Sequence, residues 1–261
     1  MLHREGQFQG VKDLAIYYQC WLPDAGAGAV LLVAHGYAEH SGRYGNLVDY
    51  VVPRGYAVYA LDHRGHGRSE GERVQVEHYT DYLGDLKIFF DLVQQENPDL
   101  RIYLLGHSMG AAISTAYTAK HQHELAGLIL SGGGIATDGA PPRPLALDLA
   151  STLSTDTAVV EAYKADPLVY HGPPPSGRGS GMAEMRTALP DLAPSITLPI
   201  LIMAGSASPL GDGPRSKALY DAVGSPDKTL KLYPGLMHEI FNEPQHKRVM
   251  ADLEEWLEAR R

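Results

Sequence analysis

Ala29 to Ala34, Ala57 to Leu61, Ile102 to Leu105 and Leu125 to Leu130 are short, almost uninterrupted apolar runs. The segments between them, Arg43 to Arg54, His78 to Glu96 and Met109 to Gln122, carry their apolar residues at helical spacing. A strand that is apolar on both faces must be covered on both, so the alternation predicts an α/β fold around a mostly parallel sheet with helices on either side. Two more strand-like runs, Pro199 to Ala204 and Thr229 to Leu232, come after a long break. Two β-rich pieces, Gly6 to Gly10 and Leu14 to Leu22, precede the series, and the short Val11-Lys12-Asp13 link between them suits an antiparallel hairpin. The count is eight strands. In such a sheet the reactive groups collect beyond the carboxyl ends of the strands.

The break, Gly132 to Pro194, holds Gly132-Gly133-Gly134, Pro141-Pro142, Pro173-Pro174-Pro175 and Gly177 to Gly181, with helix-compatible pieces at Leu145 to Leu153 and Ala158 to Ala165. Because the sheet pattern resumes after it, 132–194 is an insertion into a core made of 1–131 and 195–261. A last amphipathic stretch, Gln245 to Ala259, spaces Val249, Leu253, Trp256 and Leu257 along one helical face. A chain of 261 residues with 44% hydrophobic content is long enough for one large core. Its net charge of −9 argues against a nucleic-acid partner. Cys20 is the single cysteine, so no internal disulfide can form, which fits a reducing compartment. With no apolar N-terminal segment and no run long enough to cross a bilayer, a soluble, cytoplasmic protein is expected.

The pentapeptide Gly106-His107-Ser108-Met109-Gly110 joins a strand-like run to a helix-like one. A G-x-S-x-G match alone is a weak signal, but this context suits a serine nucleophile held on a strained strand-to-helix turn, where glycines leave room for close backbone approach. A serine hydroxyl needs a base and donors for the developing oxyanion. On such sheets the carboxylate and then the histidine follow the serine in the chain. Of twelve histidines, only His238 and His246 follow the Pro199 to Ala204 run. His246 falls on the final helix, whereas His238 lies in the loop just beyond the last strand and is the candidate base. The candidate oxyanion donors are the N–H of Met109, first in its helix, and the N–H of Tyr37, behind Gly36 in the loop after the first parallel strand.

Three motifs carry a family resemblance. His35-Gly36-Tyr37-Ala38-Glu39-His40-Ser41-Gly42-Arg43-Tyr44 resembles the HGxGEHSGRY segment of monoacylglycerol lipases and related lysophospholipases, with Ala38 where that family usually has glycine. Asp62-His63-Arg64-Gly65-His66-Gly67-Arg68-Ser69-Glu70-Gly71 is similar to their D-x-R-G-H-G-x-S-x-G loop, and Gly106 to Gly110 matches their elbow. Asp166-Pro167-Leu168 and the loop Gly235 to Glu239 also fit. The resemblance implies an α/β-hydrolase fold with a cap, or lid, formed by 132–194, and a carboxylic ester hydrolase acting through a serine acyl-enzyme, monoacylglycerol being the expected substrate. It also implies a catalytic aspartate in a G-S-x-D-P pattern, where this chain has Gly205-Ser206-Ala207-Ser208-Pro209.

The expected acid position is thus Ser208, and three arrangements remain open. In order, aspartate belongs at 208 and serine has replaced it; Asp212, otherwise a helix N-cap ahead of Gly213-Pro214, reaches His238 instead; or Asp138 supplies the acid from the loop after Leu130. The alternative within hydrolases is a general carboxylesterase or lysophospholipase, and a neutral acid position would favour a catalytically impaired protein that binds esters or lipids without turning them over. The Asp62 to Gly67 loop is better explained as a tight turn than as a metal site, since serine acyl transfer requires neither metal nor cofactor. Glu39 and Arg43, four apart, form a minor surface pair in this reading. Cap residues such as Leu145, Leu147, Leu149, Leu153, Val159, Val160 and Met182 would line an acyl channel, touch a membrane or micelle surface, or pack the cap onto the core.

Overall fold

The computed structural model describes residues 1–136, 148–173 and 181–261. The expected hairpin forms first, as β1 (Leu2–Gln9) antiparallel to β2 (Ala15–Leu22), with Val11–Asp13 as a single 3-10 turn between them. The apolar runs become β3 (Ala29–Ala34), β4 (Tyr56–Leu61), β5 (Arg101–His107), β6 (Gly127–Ser131), β7 (Ile200–Gly205) and β8 (Lys228–Tyr233). Together they make one eight-stranded sheet in the order β1-β2-β4-β3-β5-β6-β7-β8. All pairings from β3 onward are parallel except the antiparallel β2–β4 contact.

Burial on both faces explains why these strands lack polar alternation. Val30, Leu32, Leu104, Leu128, Leu130 and Ile202 enter one apolar cluster, while their neighbours Leu31, Val33, Leu105, Ile129 and Met203 enter the other. The first cluster lies under α2 (Tyr79–Glu96), α3 (Met109–His121), α5 (Gly181–Leu192) and α6 (Asp212–Ala222); the second lies under α1 (Gly45–Val51) and α7 (His246–Glu258). Each fully buried Leu or Ile side chain contributes about 1.5–3 kcal/mol, so the two clusters dominate the stability of the sheet. Val249, Leu253, Trp256 and Leu257 of α7 are all buried, as their spacing predicts.

Between β6 and β7 the described residues fall into two parts. Residues 148–173, with a 3-10 turn at Leu149–Thr152 and α4 (Thr157–Ala165), build a satellite cluster of Ala150, Leu153, Tyr163 and Val169. Helix α5 instead packs on α2 and α3, with Met185 and Leu189 in the main cluster and Met182 against it. Helix α5 does not stand out in the sequence, because Pro190 interrupts its pattern, whereas α6 is marked only at its start, by Gly213-Pro214 after Asp212. Leu145, Leu147 and Asp138 lie outside the described residues.

Register and connection bring the ends of β3, β4, β5, β6 and β7 to one edge, Ala34 pairing with Leu61 and Gly106, and His107 with Ser131. Helix α3 approaches this edge so closely that a methyl group at Gly110 would sit 2.0 Å from the Ala34 carbonyl oxygen, and one at Gly106 would sit 2.4 Å from the Gly110 oxygen. Gly110→Ala is therefore expected to destabilise the fold by about 1–3 kcal/mol or more through overpacking against backbone. Gly45→Ala, at the open start of α1, should be neutral or stabilising by up to ~1 kcal/mol. Urea unfolding of the two variants checks the contrast, and equal losses would contradict it.

Candidate active site

Ser108 is the last residue before α3 and has φ 53° and ψ −110°, a conformation that non-glycine residues rarely adopt. The strain is held by structure on both sides: Ser108 N–H donates to the Ser131 carbonyl at 2.9 Å, and Ala111 N–H donates to the Ser108 carbonyl at 3.1 Å. The hydroxyl borders a cavity of roughly 20 Å³, room for about one water, shared with Gly36, Tyr37, Glu39, His107, Leu149, Leu153, Tyr163, His238 and Glu239. His238 thus shares the cavity with Ser108, although among the described residues no hydrogen bond joins them. Apo catalytic contacts are commonly longer than those of the loaded site.

The His238 ring is fixed from behind. Its Nδ1 lies 2.6 Å from Asp212 Oδ2, with both side chains buried. A carboxylate accepts only, so Nδ1 carries the proton and Nε2 keeps the free lone pair that a base requires. Gly132, at φ 60°, packs so tightly that a methyl group there would sit 3.0 Å from the ring. Two backbone bonds register the loop after β7 against the histidine loop, from Ser206 N–H to Tyr233 O at 3.0 Å and from Ala207 N–H to Leu236 O at 3.0 Å.

Ser208 does not occupy the place beside the histidine that its position in the sequence suggests. Its hydroxyl accepts from Leu210 N–H at 3.3 Å, and its carbonyl accepts from Gly211 N–H at 3.1 Å, so the residue closes a local turn. That turn delivers Gly211 with φ 74° and starts α6 one residue later, aiming the Asp212 carboxylate at His238. The N-cap reading of Asp212 fails for the same reason: Gly211 is the cap residue, and the aspartate side chain is engaged elsewhere.

Tyr37 and Met109, the expected oxyanion donors, both lie close to Ser108, Tyr37 on the same cavity and Met109 next in the chain. The Met109 N–H is the first of α3 and has no acceptor within its own helix, and the dipole of α3 adds positive potential there. Gly36 lies against the serine, since a methyl group on it would sit 3.3 Å from Ser108 Cβ. Three histidines behind this loop are neutral. His35 donates from Nδ1 to the Gly36 carbonyl at 2.7 Å and accepts at Nε2 from His63 N–H at 2.9 Å. Burial pushes His63 down to about 3 and His66 to about 4. His107, against the His238 ring at 4.7 Å, is pushed to about 3, chiefly by burial.

Sequence reasoning underrated one group. Glu39 and Arg43 are not a surface pair: Glu39 is buried, the Arg43 side chain is only 9% exposed, and Arg43 pairs with both Glu39 and Glu239, the two glutamates bordering the cavity. The i,i+4 spacing was visible, but nothing in the sequence marks that stretch as covered by Tyr163 and the histidine loop. The Asp62 loop is a staple. One carboxylate oxygen accepts from Ser41 N–H and Oγ–H at 2.7 and 2.6 Å, and the other from Arg68 N–H at 2.8 Å. Glu243, also unanticipated, ties cap to core by accepting from Met237 N–H at 2.6 Å, Thr155 N–H at 3.0 Å, and the Thr155 and Ser154 hydroxyls.

A strained serine on a strand-to-helix elbow and a carboxylate-bound histidine, at the carboxyl edge of a mostly parallel eight-stranded sheet, are the arrangement of an α/β-hydrolase. The family model for serine aminopeptidase, S33, matches residues 25–245, and the chain belongs to that family. It is 39% identical to a monoacylglycerol lipase of Mycolicibacterium smegmatis, over 97% of this chain and 96% of that one. It is 31% identical to human monoglyceride lipase, over 93% and 84%. Among solved structures, Paleococcus ferrophilus monoacylglycerol lipase superposes over the full length of both chains with TM-score 0.78 and 26% identity. A thermostable carboxyl esterase from Bacillus coagulans shares the fold at TM-score 0.83 and 23% identity, covering 100% of this chain and 99% of that one. The chain is accordingly a serine ester hydrolase of this branch, and among the described residues no helix is long and apolar enough to cross a membrane.

The buried histidines set a pH dependence for stability. His63, His66 and His107 have folded pKa values below the ordinary 6.5, so in acid the unfolded chain binds more protons than the folded one. Stability from these groups is therefore complete above about pH 6.5 and falls as pH drops toward 4, by about 1.4 kcal/mol per pH unit per histidine. Urea midpoints should decline steeply between pH 7 and 5 and stay nearly level from 7 to 8; a flat profile down to pH 5 would contradict the assignment.

Proposed function

We propose that this protein hydrolyses monoacylglycerols to glycerol and fatty acid through an acyl-enzyme on Ser108. The observation that carries the reading is the 2.6 Å contact of His238 Nδ1 with Asp212, on a histidine that borders the same cavity as the strained serine. Ser108 Oγ attacks the ester carbonyl while His238 Nε2 takes its proton. The N–H groups of Tyr37 and Met109 hold the oxyanion of the tetrahedral intermediate. Collapse breaks the ester C–O bond, and His238 returns the proton to the departing glycerol oxygen. Water, deprotonated by the same nitrogen, then attacks the acyl-enzyme and releases the fatty acid and Ser108. Asp212 keeps Nδ1 protonated and stabilises the imidazolium that forms twice per turnover. No metal or cofactor enters this sequence of steps.

The names of the relatives support glycerol esters as substrate, and the cavity wall agrees with an apolar acyl group, since Leu149 and Leu153 border it from the cap side. We assign the cap to the part of 132–194 that carries the satellite cluster, because 148–173 bonds to both site loops. Glu239 N–H donates to Leu153 O at 2.7 Å, and Tyr170 N–H donates to Ala38 O at 2.8 Å. Transient contact of this cap with a lipid surface, and a cytoplasmic location consistent with the lone buried Cys20, complete the reading.

Two measurements test it. Kinetics on monooleoylglycerol, a lysophosphatidylcholine and a p-nitrophenyl ester should give the highest kcat/KM for the first; a lysophospholipid preference would replace the substrate assignment. Asp212→Asn should lower kcat by about 10³–10⁴, the scale of losing the group that sets the histidine tautomer, whereas Ser208→Asp should change it less than about threefold. A rise of tenfold or more in Ser208→Asp would place the acid at 208 instead. Failure of the unaltered chain to react at Ser108 with a fluorophosphonate would mean an ester-binding protein without turnover.

A further inference from the structure

The two loops that would act on substrate come from distant parts of the chain, and one largely buried side chain joins them. Arg43 donates from Nη1 and Nη2 to the two oxygens of Glu239 at 2.5 and 2.8 Å. The same Nη1 donates to Glu39 Oε2 at 3.2 Å. Glu39 Oε1 in turn accepts from the Gly36 N–H at 2.6 Å and from the Tyr44 hydroxyl at 3.0 Å. Gly36 precedes Tyr37, and Glu239 follows His238. The path from oxyanion donor to base therefore runs Tyr37, Gly36, Glu39, Arg43, Glu239, His238, through hydrogen bonds and single peptide links.

Geometry makes this path stiff. A guanidinium gripping one carboxylate through two parallel bonds fixes orientation as well as distance, which a lysine cannot do. Glu39 and Glu239 are buried and the Arg43 side chain is only 9% exposed, so salt screens the pairing far less than it would a surface pair. The Tyr163 ring closes the outer face, with the guanidinium carbon 4.6 Å from its centroid, and Asn242 Nδ2 donates to Glu239 Oε2 at 3.0 Å. Burial works against the Glu239 charge, but Arg43 outweighs it and holds that carboxyl below its ordinary range, whereas burial raises Glu39. Neither ring nor carboxylate in this cluster is bonded to Ser108, so its influence on chemistry must act through position.

We propose that Arg43 is a positioning residue that sets the spacing between the oxyanion loop and the His238 loop through Glu39 and Glu239. The inference rests on the assignment of Ser108, His238 and the Tyr37 N–H to the reaction. Its effect belongs to the transition state, because the carbonyl oxygen presses on the Tyr37 and Met109 donors only as it becomes an oxyanion.

The test is Arg43→Lys, assayed with a soluble p-nitrophenyl ester and with a trifluoromethyl ketone that adds Ser108 and places an oxyanion in the same donors. Thermal unfolding and circular dichroism establish that the variant is folded. A fall in kcat of about tenfold or more, with KM within about threefold and a ketone Ki that rises in step with the loss of kcat, supports the proposal. A folded Arg43→Lys with kcat within about twofold of the parent overturns it, as does a rise in KM that matches the rise in Ki, which signals general loosening. If Arg43→Lys does not fold, Glu239→Gln, which keeps shape and one acceptor oxygen, is judged by the same criteria. Fluorophosphonate labelling of Ser108 in the unaltered chain separates the two layers: a labelled, active parent with an indifferent Arg43 variant rejects only the positioning role, whereas an unlabelled parent rejects the underlying assignment.

Discussion

The close approach of α3 to the end of β3 is the constraint on which the site depends. A helix that begins immediately after a parallel strand cannot pass this near its neighbour's carbonyl unless the facing residue lacks a side chain, and Gly110 provides that absence where a methyl group would meet Ala34 O at 2.0 Å. Ser108 accordingly takes φ 53°, a cost of order 1–3 kcal/mol met by the packing of α3 into the main cluster and by the Ser131 and Ala111 hydrogen bonds. The same geometry holds Ser108, partly exposed, at the sheet edge and leaves the Met109 N–H without a helical acceptor. The strain at Ser108 and the start of α3 beside it are thus one structural event.

The scaffold was legible because its signals are local or periodic. Strands buried on both faces must be apolar at every position, so β3 to β7 announce themselves without alternation, and α7 does so by its spacing. The elbow and the histidine loop were legible through order along the chain, since a residue just after a parallel strand must lie at the carboxyl edge. Helix α5 was not legible and α6 only at its start, where Gly213-Pro214 after Asp212 suits a first turn, because the formation of both is decided by docking on α2, α3 and β7. Glu39 and Arg43 illustrate a different limit. Their spacing suggested a pair of small worth, and only the placement of Tyr163 and Glu239, far along the chain, turns it into a largely buried cluster.

The cap and the chemistry are coupled through backbone as well as side chains. Thr152 and Leu153 carbonyls accept from His238 and Glu239 N–H, while Ala38 O accepts from Tyr170 N–H, so 148–173 rests on the base loop and the oxyanion loop at once. His40 Nε2 and Asp166 Oδ2, 2.9 Å apart, add a side-chain link at the second point. Leu149 and Leu153 of the same segment border the cavity beside Ser108, so movement of 148–173 and movement of the two loops are physically linked.

The placement of the acid shows how a motif can lose a residue without losing its geometry. What the base needs is a carboxylate at Nδ1, not a carboxylate at a fixed count from β7. Pro209 and Gly211 fold 208–211 into a turn closed by Ser208 itself, and that turn brings the first residue of α6 to the histidine. The hydroxyl at 208 is then consumed by its own backbone, so serine has a local reason to stand there. Position in a sequence motif and position in space part company here over four residues, and the chemistry follows the space.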